Sequence, residues 1–196
     1  MSALRSVAVF CGSTPGTDPA YVETARRAGA TLAGRGIDVV YGGGGAGMMG
    51  ALADGALAAG GRVTGVIPRS LVDRELAHRG VDDLVVVESM HERKQRMSER
   101  ADAFVAMPGG AGTLEEITEQ WTWAQLGLHD KPCGLLDVGG FWRPFVDLLE
   151  RMTADGFVRA SQAGIVAVES DLEVLLERLA DPPCWTDKWG ALRPGR

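Results

Sequence analysis

Short apolar runs recur along the chain, separated by stretches with the spacing of amphipathic helices. The runs are apolar at successive positions and do not alternate, which is typical of strands buried on both faces of a sheet. Strands are predicted at residues 6–11, 37–41, 62–67, 84–87, 103–107 and 133–136, with a shorter one at 165–168. Strands that alternate with helices predict a parallel sheet covered by helices on both faces.

Helices are predicted in the intervals between these strands. They span residues 17–35 (beginning at Thr17 or Asp18), 48–59, 90–101, 112–127, 141–155 and 171–180. Residues 68–83 show no clean period and predict a loop or short helix over the ligand site. We expect one Rossmann-like α/β domain over residues 1–180 and a loosely packed C-terminal tail over 181–196. In such sheets ligands bind beyond the carboxyl ends of the strands.

Composition and charge exclude several classes of protein. The 196 residues suit one domain, no apolar run is long enough to cross a bilayer, and residues 1–9 lack the features of a signal peptide. A net charge of −6 argues against a surface for non-specific nucleic-acid binding. Three scattered cysteines suit neither a disulfide framework nor a zinc site. Cys11 and Cys133 lie in apolar runs, so we expect their thiols to be buried. Since the cysteines do not form a disulfide framework, we expect the protein to occupy the reducing cytoplasm.

Glycine is concentrated after two of the apolar runs. The first cluster contains Gly45-Ala46-Gly47-Met48-Met49-Gly50, which fits the G-x-G-x-x-G pattern of dinucleotide sites. Such a site needs an acidic residue at the end of the next strand, where this chain has Pro68 and Arg69. Arg69 could face a 2′-phosphate. We expect instead that these glycines permit a sharp turn and close helix–sheet packing, or shape the pocket of another ligand.

The second glycine cluster predicts a phosphate site. Met107-Pro108-Gly109-Gly110-Ala111-Gly112-Thr113 follows a predicted strand, and Leu114-Glu115-Glu116 opens a helix. Glycines let the backbone approach a ligand closely, and the free N–H groups of a first helical turn attract an anion. No G-K-[ST] follows, which disfavours an NTPase. The alternative is a tight turn in which Thr113 caps the helix.

Charged side chains are expected at the same edge of the sheet. Arg93 and Lys94 lie on the predicted helix at residues 90–101, whose start follows a strand end and so points them toward the phosphate site. The alternative for this run of charges is a solvated helix face, and His91 is expected at the surface or at the helix cap. Glu116 lies in the first turn of the next helix, where a carboxylate could act on whatever is attached to the phosphate.

Several segments together resemble the Lonely-guy family of cytokinin riboside 5′-monophosphate phosphoribohydrolases, long mislabelled as lysine decarboxylases. Residues 108–116 match the family signature P-G-G-x-G-T-x-x-E. The other matching segments, in family order, are Phe10-Cys11-Gly12-Ser13, Tyr41-Gly42-Gly43, Gly47-Met48-Met49-Gly50, Arg74-Glu75-Leu76, Met90-His91-Glu92-Arg93-Lys94 and residues 123–132. The resemblance covers about residues 6–180.

The resemblance implies a nucleotide-binding catalytic domain that cleaves the N-glycosidic bond of N6-modified adenosine 5′-monophosphates, without metal or organic cofactor. It implies that Arg93 and Glu116 are the catalytic pair. The residues that it implies contact the nucleotide are Glu75, Lys94, Gly109, Gly110, Ala111, Gly112, Thr113, Leu114, Glu115 and Thr122. The chain departs from the family at Ala111, where Tyr is commoner, and between Glu75 and Met90, where the difference can alter base selectivity.

The chemistry of the bond agrees with this assignment. Cleavage of a ribosyl C1′–N bond develops positive charge on the sugar, which a carboxylate can stabilise while it activates water. Glu116 would take that role. Arg93 would orient Glu116 or assist the leaving base, but a guanidinium holds its protons too tightly to be a good general acid.

Three other functions compete with this interpretation. A lysine decarboxylase would hold pyridoxal phosphate on a lysine, and neither Lys94, Lys131 nor Lys188 lies in a recognisable Schiff-base context. A general nucleoside 5′-monophosphate nucleosidase would act on unmodified nucleotides such as AMP. A non-catalytic nucleotide or cofactor carrier would use the same phosphate site but has no need of Glu116.

The helix predicted at residues 112–127 is apolar on more than one face. Its apolar residues, with one just beyond it, are Ile117, Trp121, Trp123, Ala124 and Leu128. A surface helix normally has one apolar stripe, and symmetric homodimers are the commonest assemblies. We therefore expect a homodimer with this helix near the interface and the nucleotide pocket close to the subunit boundary. The family resemblance also implies a dimer. From the net charge and the short apolar runs we expect no nucleic-acid or membrane partner.

Overall fold

A computed structural model describes residues 4–72 and 77–193 and contains one large parallel sheet. Its strands are β1 (Ser6–Phe10), β2 (Asp38–Tyr41), β3 (Val63–Pro68), β4 (Asp83–Val87), β5 (Ala103–Ala106), β6 (Cys133–Leu136) and β7 (Val166–Glu169). The strand order across the sheet is β4-β3-β2-β1-β5-β6-β7. The prediction of a parallel α/β sheet is confirmed.

Helices connect the strands. They are α1 (Pro19–Gly34), α2 (Gly47–Ala58), α3 (Met90–Arg100), α4 (Ala111–Gln125), α5 (Arg143–Ala154), α6 (Ala160–Ala163) and α7 (Leu172–Ala180). All but the four-residue α6 were predicted from sequence. Polar side chains set several starts: Asp18 accepts a hydrogen bond from the Ala20 N–H before α1, and Ser89 accepts one from the Glu92 N–H before α3.

The sheet is buried on both faces. Val7 and Ala8 are consecutive in β1 and fully buried, and they belong to different core clusters. Helices α1, α2 and α7 pack over one face, and α3, α4 and α5 over the other. Successive strand residues therefore both need apolar side chains, which is why the strands are apolar throughout.

The chain direction across the sheet reverses between β1 and β5. The loops that follow these strands touch, since the Gly12 N–H donates to the Pro108 carbonyl over 3.1 Å. A Cβ on Gly109 would lie 2.9 Å from the Gly12 nitrogen and 2.2 Å from Thr113 Oγ1. Glycine at position 109 is thus required by the close approach of the two loops.

The segment without a clean period is partly helical. Arg69–Leu71 form a turn of 3-10 helix, and Ala77 forms a bridge to Gly44 in the loop after β2. The His78 N–H donates to the Gly43 carbonyl over 2.9 Å. Residues 73–76, which include Glu75, lie outside the described residues.

The C-terminal segment packs against the domain, which corrects the expectation of a loosely packed tail. Two short antiparallel strands, β8 (Trp185–Thr186) and β9 (Leu192–Arg193), form a hairpin. Trp185 is only 1% exposed, and its large apolar side chain explains why the segment is held. Asp187 accepts hydrogen bonds from Arg193 Nε over 3.0 Å and Nη2 over 2.8 Å.

The hairpin makes stability depend on pH. Burial acts to raise the pKa of the Asp187 carboxyl, but hydrogen bonds from Arg193 and from the N–H groups of Ala191 and Trp189 outweigh it and lower the pKa below its ordinary value. A carboxyl with a depressed folded-state pKa contributes stability above its unfolded pKa of about 3.9, and that stability is lost as the pH falls through the folded value.

We expect Asp187→Asn to lower the melting temperature near neutral pH, because the ion pair with Arg193 is lost. The gap from wild type should begin to narrow as the pH falls below about 4, where the unfolded chain takes up a proton, and should close only below the depressed pKa of Asp187 in the folded protein. Thermal unfolding followed by circular dichroism at the two pH values checks this. Asp147→Asn, at an exposed position of α5, is the control. A gap of constant size would contradict the role of the Asp187 charge.

Candidate active site

A cavity of about 440 Å³ opens beyond the carboxyl ends of β1 and β5. Its lining residues are Cys11, Gly12, Ser13, Thr14, Met49, Leu71, Met90, Arg93, Gly110, Ala111, Gly112, Thr113, Glu115 and Glu116. The position is the point where the strand order reverses, which is where open α/β sheets bind ligands.

One wall of the cavity is the start of α4. Gly110 is the N-cap residue, and among the described side chains none hydrogen-bonds to cap it. Thr113 lies inside the first turn, so the alternative in which it caps the helix is wrong. Uncapped N–H groups and the helix dipole make this wall suitable for an anion such as a phosphate.

The glycines of this wall are not required by the fold. A Cβ on Gly110 or Gly112 would meet no atom within 4 Å, and neither residue has a positive φ. Both line the cavity. Glycine at these two positions therefore keeps space free in the cavity, whereas at position 109 glycine is required by the packing of the loops.

A buried pair of opposite charges lies against the cavity. Arg93 is 3% exposed and Glu116 5% exposed, and Arg93 Nη1 lies 3.8 Å from Glu116 Oε1. The guanidinium also donates from Nε to the Val66 carbonyl and from Nη2 to the Gly42 carbonyl, each over 3.1 Å. Two backbone carbonyls thus fix the guanidinium plane, and the charge of the largely buried Glu116 carboxylate is partnered by this guanidinium.

Lys94 ties α3 to α4. Its ammonium group donates to the carboxylates of Glu115 and Glu119, the latter over 3.0 Å. Burial acts to lower the pKa of the Lys94 ammonium, but the hydrogen bonds to Glu115 and Glu119 outweigh it and raise the pKa above its ordinary value. Lys94 therefore stays charged and partners the negative charge of two carboxylates beside the anion wall.

Comparison with known proteins decides the family. A family model described as "Possible lysine decarboxylase" matches residues 49–179. A cytokinin riboside 5′-monophosphate phosphoribohydrolase of Oryza sativa subsp. japonica is 46% identical over 165 residues, which are 84% of this chain and 68% of that protein. One of Arabidopsis thaliana is 40% identical over 180 residues, 92% of this chain and 84% of that protein. The chain belongs to the Lonely-guy family.

A solved structure supports the fold of this Lonely-guy protein. The molybdenum cofactor binding protein of the phototrophic bacterium Rippkaea orientalis superposes with a TM-score of 0.65. The match covers 90% of this chain and 95% of that one at 23% sequence identity. An identity this low shows a shared fold and carries no statement about the ligand.

The cavity brings together most of the residues singled out by the Lonely-guy resemblance. Those that line it are Arg93, Gly110, Ala111, Gly112, Thr113, Glu115 and Glu116. Gly109 lies beneath the cavity and Lys94 behind Glu115, while Leu114 and Thr122 are exposed on α4. The Thr122 hydroxyl donates to the Thr118 carbonyl over 2.7 Å. None of these four residues lines the cavity.

Sequence reasoning missed part of the lining. Ser13 and Thr14 follow β1, and Met49, Leu71 and Met90 form an apolar wall. The signal for the first two was available, because residues that follow β1 must face those that follow β5 once the two strands are neighbours. The apolar wall comes from three separate elements, and no spacing in the sequence predicts that they meet.

The first glycine cluster makes a close packing contact. A Cβ on Gly47, whose φ is +58°, would lie 2.4 Å from the Ser13 carbonyl oxygen. This agrees with the expected turn and helix–sheet packing at the start of α2. Arg69 forms an exposed ion pair with Glu88 over 3.3 Å and does not line the cavity.

The two buried cysteine thiols are poor nucleophiles. Cys11 and Cys133 are buried, as predicted. Burial raises the pKa of the Cys11 thiol, and the Glu116 carboxylate raises it further. A neutral thiol is neither a nucleophile nor a metal ligand, so the Cys11 thiol gives the cavity no reactive group.

The lysines do not fit the chemistry suggested by the decarboxylase label. Lys94 is paired with Glu115 and Glu119, Lys131 donates to the Ser98 carbonyl, and Lys188 lies over the exposed ring of Trp189. Since no lysine lines the cavity, it offers no residue for a Schiff base.

The described part of the chain has neither a metal-binding cluster nor a membrane-spanning helix. Across residues 4–72 and 77–193 there is no group of three or more His, Cys, Asp or Glu side chains suited to a metal ion. In the same part of the chain no helix has the length and apolar character needed to cross a membrane.

Proposed function

We propose that this protein hydrolyses the N-glycosidic bond of N6-modified adenosine 5′-monophosphates, the cytokinin riboside monophosphates, to the free base and ribose 5-phosphate. The observation that carries the proposal is the buried Arg93–Glu116 pair beside an uncapped helix N-terminus in one cavity. The names of the Oryza and Arabidopsis relatives support the same activity.

The phosphate and the sugar would bind at neighbouring parts of the cavity. The N–H groups of the first turn of α4 and the Thr113 hydroxyl bind the phosphate, which anchors the nucleotide by a group that does not react. The ribose is then held near Glu116, which is five residues further along the same helix than Ala111. Such anchoring converts remote binding energy into orientation of the reacting bond.

Glu116 carries the chemical step. As the C1′–N bond breaks, positive charge develops on the ribose and the carboxylate stabilises it. As the C1′–N bond breaks, the water oxygen forms its bond to C1′ and passes a proton to Glu116, and the departing base takes up a proton from solvent water. Arg93 holds the carboxylate in place and partners its charge; with two of its nitrogens committed to the carbonyls of Val66 and Gly42, it acts as a fixed cation.

The remaining contacts carried over from the family are part of the proposal. They are Glu75, Lys94, Gly109, Leu114 and Thr122. Lys94 would act by holding Glu115 at the cavity wall, since its ammonium group already binds that carboxylate. Gly109 would act through the close approach of the loops after β1 and β5.

The test is base release from two nucleotides, AMP and isopentenyladenosine 5′-monophosphate, measured by chromatography. The apolar wall of Met49, Leu71 and Met90 favours the nucleotide with the apolar N6 group, so we expect it to react faster. Equal rates would indicate a general nucleoside 5′-monophosphate nucleosidase. Binding of both nucleotides without release of base would indicate a carrier.

We also propose that the protein is a homodimer. Ile117, Trp121 and Ala124 are buried in the core. Leu128, in contrast, is 68% exposed, and Trp123 is half-buried. These two side chains line an apolar groove between α3 and the end of α4. Thr122 is exposed on the same helix and does not line the cavity, so the nucleotide contact that the family resemblance implies for it would be made with the other subunit's nucleotide, in a pocket near the subunit boundary.

We expect light scattering at micromolar concentration to give twice the chain mass of 20.7 kDa. Leu128→Asp should shift the protein toward monomer, because it puts a charge on the apolar face. Phe157→Asp, at a side chain that is 85% exposed after α5, is the control. A wild-type mass near that of one chain, or equal effects of the two variants, would refute the interface.

We further propose that the protein works in the cytoplasm. Cys11, Cys133 and Cys184 are all free thiols, and Cys184 is exposed. Such an exposed thiol persists in a reducing compartment. Fractionation of cells that express the native chain tests the assignment.

A further inference from the structure

One residue of the first glycine cluster lies against the catalytic pair. Gly42 follows β2 directly and does not line the cavity. A Cβ added to it would lie 2.0 Å from Arg93 Nη2 and 3.2 Å from Arg93 Cζ. Protein Cβ atoms essentially never approach other heavy atoms closer than 3.0 Å. The guanidinium of Arg93 therefore occupies the space that a side chain at position 42 would need.

The backbone at Gly42 does not itself require glycine. Its φ is not positive, unlike that of the next residue, Gly43, where φ is +80°. The other close neighbour of the added Cβ is Met49 Sδ at 3.1 Å, which belongs to a flexible side chain. The demand for glycine at position 42 comes from Arg93.

The same residue also holds the guanidinium. The Gly42 carbonyl accepts a hydrogen bond from Arg93 Nη2, and the Val66 carbonyl accepts one from Nε. These contacts leave Nη1 as the nitrogen that faces Glu116, 3.8 Å from Oε1. Both the missing side chain and the carbonyl of Gly42 therefore set the distance between the cation and the carboxylate.

We propose that Gly42 is a positioning residue for glycosidic-bond hydrolysis, acting by leaving room for the Arg93 guanidinium against the end of β2. The proposal deepens, and rests on, the function proposed above. A methyl group at position 42 must displace Nη2 by about 1 Å to reach the normal contact limit, and a misplacement of about 1 Å can lower a rate about 100-fold.

The test is Gly42→Ala, assayed with isopentenyladenosine 5′-monophosphate. We expect kcat to fall about 100-fold, with KM changed much less, because the phosphate-binding turn of α4 is not touched. Gly43→Ala is the matched control. It puts a side chain on a residue whose φ is +80°, which strains the backbone there, and brings its Cβ to 3.0 Å from Ile67 Cβ, away from Arg93. It should cost stability yet keep the kcat of the folded enzyme.

A double-mutant cycle separates positioning from general damage. If Gly42 acts through Arg93, Gly42→Ala should not lower kcat further in an Arg93→Ala background. The loss of melting temperature caused by Gly42→Ala should also shrink there, because the guanidinium no longer fills the space. The double variant should therefore fold even if Gly42→Ala alone does not.

A second readout is independent of activity. In the wild type the Arg93 Nε–H donates to a buried carbonyl, so its NMR signal should be slow to exchange, and Gly42→Ala should shift it or speed its exchange. An unchanged kcat and an unchanged Nε–H signal in Gly42→Ala, or an equal loss of kcat with and without Arg93, would overturn the proposal. A wild-type protein that releases no base would instead refute the proposed function, while the signal still tests the placement of Arg93.

Discussion

Replacement of Glu116 by glutamine will stop base release while nucleotide still binds. The amide keeps the shape of the carboxylate but cannot stabilise positive charge on the ribose or accept a proton from water. General base catalysis contributes about 10²- to 10⁴-fold, and a well-placed electrostatic group about 10²- to 10³-fold. We therefore expect kcat to fall by at least about 1,000-fold, with both roles lost together.

Single-turnover base release and calorimetric nucleotide binding measure the two parts of this result separately. Glu150→Gln makes the same chemical change at an exposed position of α5 and should leave both unchanged. Turnover of Glu116→Gln close to that of wild type would remove Glu116 from the mechanism. Loss of nucleotide binding in that variant would show that its charge serves binding and not the chemical step.

Replacement of Gly110 by phenylalanine will lower kcat/KM for nucleoside monophosphates far more than kcat/KM for nucleosides. A Cβ at this position meets no atom within 4 Å, so the fold should tolerate the change. The ring instead occupies the space in front of the first turn of α4, where the phosphate would bind. A charge-assisted hydrogen bond contributes about 1.5–3 kcal/mol, so losing one or two should lower kcat/KM for the monophosphate about 100-fold.

The matched measurement is kcat/KM for the corresponding nucleoside, which has no phosphate to lose. We expect it to change by less than about threefold, within roughly 0.7 kcal/mol. Gly34→Phe, at another exposed glycine whose added Cβ meets nothing within 4 Å, controls for the added aromatic surface. Equal losses for nucleotide and nucleoside would show that this turn does not hold the phosphate.

The strands and main helices could be predicted because the sheet makes a strict demand on sequence. Both faces of β1 are buried, so Val7 and Ala8 are both apolar, and such runs are easily recognised. The position of the cavity followed from the same reasoning, since the residues after β1 and β5 meet where the strand order reverses. Gly110 and Glu116 were found from the glycine cluster after a predicted strand, the first turn of the helix that follows it and the family signature at residues 108–116.

Other features depend on contacts between residues far apart in sequence. Lys94 was expected to point toward the phosphate, but Glu115 and Glu119 of another helix hold its ammonium group. The hairpin of β8 and β9 has strands of two residues, too short to show any period. Its order depends on the burial of Trp185, which depends in turn on surfaces supplied by the rest of the domain.

The attachment of the β8–β9 hairpin to α4 determines when the protein can fold during its synthesis. Helix α4 packs on β1 and β5, which precede it in the chain. At its C-terminal end, the Gln125 carbonyl accepts a hydrogen bond from the Lys188 N–H over 2.7 Å. Because a domain folds as a unit, the start of α4 at the cavity and its far end at the hairpin are completed together, once residues 185–193 have been translated.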